Sequence, residues 1–242
     1  MFRMLKSWRW LIAGLMACGG VAYAAVRQVE RMTPAPYLAA VIEDPASAKE
    51  TLEPHSPVLA LIEAGELEAA RKSLAFRPRL EAPLPVGFPH FTPVGVIEVK
   101  RYPAYRKAVG PSFWPLFQHI QKQGIPMTAP VEMTSSTGVR GDGEMAFLYQ
   151  TTQVGALGPI DGVAVEDTPE TLVASLGVRG RMNKQLAEQA KQSLEAWLAS
   201  QDQYRRVGEE TNSFRMFGYN SPMVPNREKY WEAQLLIEPA GE

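Results

Sequence analysis

The feature that most restricts the fold of this chain is a layout that occurs twice. Val94 to Val109 reads as a strand, a kink at Pro103 and a second strand; Val163 to Leu176 repeats it, with Pro169 placed after Val165 as Pro103 is placed after Val99. A helix follows each pair. Ser112 to Gln123 is predicted helical, with Ser112 as N-cap and Gly124 as stop, and Asn183 to Ser200 carries an apolar stripe of Leu186, Ala190, Leu194, Trp197 and Leu198. Further extended segments complete each half. In the first they are Ile125 to Met133 and Glu144 to Gln150, joined by a turn at Gly141-Asp142-Gly143. In the second, Ser221-Pro-Met-Val-Pro225 echoes Ile125-Pro-Met-Thr-Ala-Pro130. Tyr230 to Glu238 then alternates, with Trp231, Ala233, Leu235 and Ile237 on one face and Glu232, Gln234 and Glu238 on the other. Neither half holds enough apolar surface to be stable alone, so the two must close on each other. The expected fold class is α+β: duplicated strand-helix-strand halves forming a distorted barrel or saddle of about eight strands flanked by two helices. A ligand cleft is expected at the pseudo-symmetric centre or beside a helix.

Composition excludes several functions. The 25 basic and 26 acidic side chains leave a net charge of -1, so no global field would hold the chain on nucleic acid or an anionic bilayer. Cys18 is the single cysteine, which removes internal disulfides and cysteine metal sites from the folded part. No Gly-x-Ser-x-Gly elbow, His-Glu-x-x-His pair or phosphate-cradling glycine loop occurs. Lone carboxylates such as Glu132 and Glu144 read as hairpin residues. Binding, not covalent catalysis, is the preferred reading.

Residues 1–26 read as a signal peptide or membrane anchor, because Arg3, Lys6 and Arg9 precede an uncharged run from Trp10 to Val26. Three outcomes stay open: cleavage after Ala22-Tyr23-Ala24, lipidation of Cys18 within Leu15-Met16-Ala17-Cys18-Gly19, or an uncleaved anchor near the lower length limit for roughly 30 Å of hydrocarbon. Each exports the remainder to the periplasm or cell envelope. Residues 27–89 are rich in proline and read as a spacer with short helices, docked on the domain or holding it clear of a membrane. Its best helix candidate is Pro57 to Phe76, weakened by Gly65, with Leu59, Ile62, Leu67, Ala70 and Leu74 on one face. Residues 90–242 form the domain.

Four motifs occur in order: Tyr102-Pro103, Phe113-Trp114-Pro115-Leu116-Phe117, Ile125-Pro-Met-Thr-Ala-Pro-Val131 and Tyr219-Asn-Ser-Pro-Met-Val-Pro225. Together they resemble the SOUL haem-binding protein family over roughly residues 94 to 238. The resemblance implies the duplicated barrel and reversible, non-covalent binding of haem or another porphyrin, as carrier, buffer or sensor. It also implies that the first helix offers its surface to the porphyrin face, at Phe113, Phe117 and Gln118. On a helical wheel Phe113, Phe117 and Ile120 lie together, with Trp114 and Leu116 at the edges. Burying about 300 Å² of apolar surface at about 25 cal/mol/Å² gives roughly 7 kcal/mol before ordering costs, which corresponds to an affinity around micromolar.

No metal ligand is assigned. His119 is expected on a solvated helix face beside Gln118 and Lys122, His90 precedes the first strand, and His55 lies in the spacer. Met127 and Met223 are candidate soft iron ligands or core fillers. Arg227, Lys229 and Lys122 are candidate partners for propionates, with surface ion pairing as their default role. Rival readings are a tetrapyrrole-modifying enzyme that removes iron, a general small-molecule effector-binding domain for apolar cations, and an interaction protein without a ligand.

Overall fold

Alternating side chains place Ile97–Tyr102 (β1) and Tyr105–Gly110 (β2) in strands on either side of Pro103. The computed structural model describes residues 30–134, 143–208 and 213–241. After β2 come helix Phe113–Lys122 (α4, following three short helices introduced below) and strands Val131–Thr134 (β3), Met145–Leu148 (β4), Gly158–Ile160 (β5), Val163–Thr168 (β6) and Thr171–Arg179 (β7). Helix Lys184–Ala199 (α5) and strands Tyr204–Arg206 (β8), Phe214–Gly218 (β9) and Tyr230–Pro239 (β10) complete the domain. The Asn183 side chain accepts a bond from the Leu186 amide at 3.0 Å and so caps α5. Ser112 occupies the N-cap of α4 in an extended conformation, but its hydroxyl caps nothing.

All ten strands form one sheet in the order β1-β7-β10-β9-β3-β4-β2-β6-β5, with β8 beside β10. The expected distorted barrel or saddle of about eight strands is an open sheet of ten and does not close into a barrel. Each half gives its first strand to the other, β1 pairing with β7 and β6 with β2, which leaves β1 and β5 as separate edges. The order reads alike from both ends about the β9–β3 pair: β10 next to β9 answers β4 next to β3. The Ser221–Pro225 segment lies between β9 and β10, whereas Ile125–Pro130 lies between α4 and β3, so the echo joins unlike positions.

Registry sorts the side chains onto two faces. Trp231, Ala233, Leu235, Met216, Phe147, Ala108 and Val165 share one face, and both long helices pack there. Burying side chains such as Trp197, Trp231, Leu194 and Leu116 contributes about 1.5–3 kcal/mol each. Lys100, Tyr102, Tyr105, Glu132, Arg215, Phe217, Glu232 and Gln234 point the other way. That second face is also covered. Residues 30–91 lie over it and along its border, so the proline-rich segment docks on the domain.

Within this layer Leu38–Glu43 (α1), Pro57–Glu63 (α2) and Leu67–Leu74 (α3) bury Leu38, Val58, Ile62, Ala70 and Leu74 against one another and Val96. The single helix expected from Pro57 to Phe76 is broken at Gly65, whose φ of 76° no helix accommodates, and the break turns Leu67 outward. Farther on, Met32, Phe76, Leu80, Leu84, Phe88 and Phe91 pack on Tyr102, Tyr105, Phe217 and Tyr230. The N-terminal export segment, Cys18, and Gly141 and Asp142 of the expected turn lie outside the described residues.

Candidate functional site

At the middle of the second face, where β9 meets β3, charged groups lie buried beneath the N-terminal layer. Glu232 accepts hydrogen bonds from the Thr92 amide (2.8 Å), Lys100 Nζ (3.1 Å), Tyr102 (3.0 Å), Tyr230 (3.0 Å), Gln234 Nε2 (3.0 Å) and Ser175 (3.3 Å). Glu132 accepts from Tyr105 (2.7 Å) and Lys107 (2.8 Å), with Arg215 3.7 Å away. Arg215 donates to Tyr105 (2.6 Å) and Gln234 (2.8 Å), and its guanidinium lies 4.5 Å from the Phe217 ring centroid. Its Nη2 is buried with no hydrogen-bond partner among the described residues.

Electrostatics follow from these bonds. Burial raises the Glu232 carboxyl, but Lys100, the Thr92 amide and Tyr230 outweigh it and hold the group below its ordinary value. Glu132 is likewise held down against its burial, by Arg215 and Lys107. Burial, reinforced by Glu232, pushes the Tyr102, Tyr219 and Tyr230 hydroxyls well up, so they stay protonated donors.

The sequence-expected site residues separate into two groups. Phe113, Phe117 and Met127 belong to the core between α4 and the sheet. Phe113 stacks on Phe117 at 5.6 Å and meets Phe147 edge-on at 5.1 Å; Trp114 stacks on Phe117 at 5.9 Å and remains 48% exposed. Gln118 is exposed on the same helix. Met223, by contrast, is 62% exposed in the β9–β10 loop and is no core filler. Arg227 lies on the following 3-10 turn, where its carbonyl accepts from Arg179 Nε at 2.6 Å. Lys229 donates to the Pro222 carbonyl at 3.5 Å, and Lys122 faces Asp161 at 3.4 Å.

One expectation is corrected and one is sharpened. His119 is 1% exposed rather than solvated, because β4 and the turn before β6 wrap that side of α4. Its Nε2 lies 2.6 Å from the Tyr149 hydroxyl, its Nδ1 lies 3.7 Å from Asp161, and burial lowers its pKa despite Asp161. Glu132 does lie in the β3–β4 hairpin, but it is buried there rather than idle; Arg215 on the adjacent β9 and Lys107 on β2, beyond β4, make its burial tolerable. His90 stands at the rim of a cavity of about 330 Å³, 3.4 Å from Glu98, which also accepts from Tyr37 at 2.6 Å.

Sequence reasoning missed Lys100, Tyr102, Tyr105, Arg215, Glu232 and Gln234 as one cluster. A signal existed in Arg215, a charge inside the apolar run Phe214–Gly218, and in Glu232 and Gln234 within the apolar last strand.

Fold and site together define an α+β protein of one open antiparallel sheet, with two helices on one face and a polar centre roofed by an N-terminal layer on the other. The chain belongs to the SOUL haem-binding protein family, whose model matches residues 90–232. None of the curated protein sequences matches it significantly. Among solved structures, the EcmrR C-terminal domain is similar at 15% identity and a TM-score of 0.45, over 59% of this chain and 96% of that one. A hydrolase from Listeria innocua is similar at 10% identity and a TM-score of 0.42, over 61% and 94%. SAV2435 bound to tetraphenylphosphonium is similar at 11% identity and a TM-score of 0.32, over 59% and 93%.

Proposed function

We propose that this protein binds haem or a related tetrapyrrole reversibly and without covalent attachment, as a carrier, buffer or sensor. Family membership supports the ligand class. The observation that carries the placement is the aromatic stack on α4, open at one end: Trp114 is half-exposed over Phe117, which stacks in turn on Phe113. A flat porphyrin extends such a stack with little rearrangement, and Gln118 and Lys122 on the same helix supply polar partners for its propionates. Affinity here comes from apolar area, not from an iron ligand. Phe117 and Met127 support the platform from below, while Met223 and Arg227 lie in another loop and contribute nothing to it.

Titration of the full-length chain with ferric haem and metal-free protoporphyrin IX, followed at the Soret band against a matched lipid blank, tests this. Affinities within about threefold of each other are expected, and Trp114→Ala should weaken both by about 1–2 kcal/mol, or five- to thirtyfold. Absence of binding, or tight binding of haem alone, would reject the reading.

We also infer that the two halves descend from one duplicated unit, which the symmetric strand order supports. The basic flank and uncharged run of residues 1–26 support export to the periplasm or cell envelope. Cell fractionation, with a Cys18→Ser variant to reveal lipidation, tests that placement.

A further inference from the structure

Among the side chains of the N-terminal layer that cover the polar centre of the second face, Phe88 sits over Arg215. Phe88 meets Tyr102 edge-on at 5.0 Å and Tyr105 edge-on at 5.5 Å, and stacks against Phe217 at 6.3 Å. The same three rings surround the Arg215 guanidinium, at 5.6, 6.0 and 4.5 Å. A phenyl ring thus occupies an aromatic recess beside a buried cation whose Nη2 has no acceptor among the described residues. Arg215 as a whole is paired, its Nη1 facing Glu132 at 3.7 Å, but leaving the Nη2 donor of a guanidinium only 4% exposed without an acceptor is costly, and a bound carboxylate would remove that cost. Of the neighbouring acids, Glu232 is matched by Lys100, and Glu132 lies between Lys107 and Arg215, its Oε1 held by Lys107 and its Oε2 by Tyr105, which leaves Arg215 Nη2 to an incoming acid.

The segment carrying Phe88 is weakly fastened. Pro83, Pro85 and Pro89 lack amide donors, and among the described residues two backbone bonds tie this stretch to the domain, Val86 N to the Gln150 carbonyl (2.9 Å) and Ala129 N to the Pro83 carbonyl (3.0 Å). Gly87, at a φ of 80°, supplies the turn beside Phe88. Phe88 itself is only half-buried. Few bonds and an exposed tip are the marks of a segment that opens locally without global unfolding.

We propose that residues 82–91 are a displaceable strap, with Phe88 as its plug, over a recess that takes a flat aromatic acid whose carboxylate pairs with Arg215. This site lies on the opposite face of the sheet from α4 and stands apart from the tetrapyrrole reading.

The test uses 2-naphthoate and its neutral amide as probes in calorimetric titrations of the full-length chain. Phe88→Ala should bind naphthoate at least tenfold more tightly than the unaltered protein and prefer acid over amide at least tenfold. Adding Arg215→Gln should erase that preference. A strap lock, Val86→Cys with Gln150→Cys in a Cys18→Ser background, should bind naphthoate at least tenfold more weakly when oxidised than when reduced. The lock decides the matter even if Phe88→Ala fails to fold. Equal binding of acid and amide, equal binding by oxidised and reduced lock, or no naphthoate binding by any form overturns the proposal.

Discussion

Taking one partner from a buried ion pair leaves the other charge without solvent or counter-charge, and Lys100 with Glu232 is such a pair, 2% and 0% exposed. Lys100→Met should destabilise the fold by about 3–5 kcal/mol, measured by urea denaturation, and adding Glu232→Gln should recover part of the loss. His119 makes a separate prediction about pH. Burial lowers its folded pKa below the ordinary value of about 6.5, so protonation favours the unfolded chain. Stability is therefore full above about pH 6.5 and falls as pH drops through the window below it. The groups facing the ring are Tyr149, pushed up to about 12 by burial, together with Asp161 and Lys122. His119→Gln should flatten the slope between about pH 5 and 6.5 in denaturation series. Glu132 and Glu232, whose folded values are also depressed, act in the same sense but lower down: their contribution is present above the ordinary glutamate range and is lost as pH falls through their folded values.

Among the elements, β7 is the most constrained. A Cβ on Gly177 would stand 2.3 Å from the Thr92 carbonyl and 2.5 Å from that of Pro93, where the chain leaves the N-terminal layer for β1. Gly177→Ala is expected to cost at least about 1–3 kcal/mol, read as a lowered urea midpoint with an unchanged slope. Elements of this kind were largely legible beforehand. The proline between β1 and β2, the capped stripe of α5 and the alternation of β10 all specify their structures locally. The faces were less legible. Alternation in β10 separates Trp231 from Glu232 but cannot show whether the polar side meets water or another layer, and here it meets Phe88, Phe91 and their neighbours. His119 failed for the same reason, since a helical wheel carries no information about what wraps the helix. The stacking of Phe113 on Phe117 was readable because both lie on one face of a single helix. The Arg215 cluster was not, because it joins distant stretches of chain at residues 100–105, 132, 215 and 232–234.

Over the whole molecule, the family match begins at residue 90, where the layer of residues 30–91 ends. The layer hides Tyr102, Val173, Phe217 and Tyr230, which the domain alone would leave facing solvent. A chain starting at residue 90 is therefore expected to aggregate or bind an apolar dye on size-exclusion chromatography, where the full-length protein does neither. The exchange of opening strands has a consequence of its own. Severing the backbone between β4 and β5 would give two fragments, each lacking a strand that only the other possesses. Neither is a smaller version of the parent, and the pair should regain structure only when mixed, so the protein is a natural scaffold for split-reporter complementation.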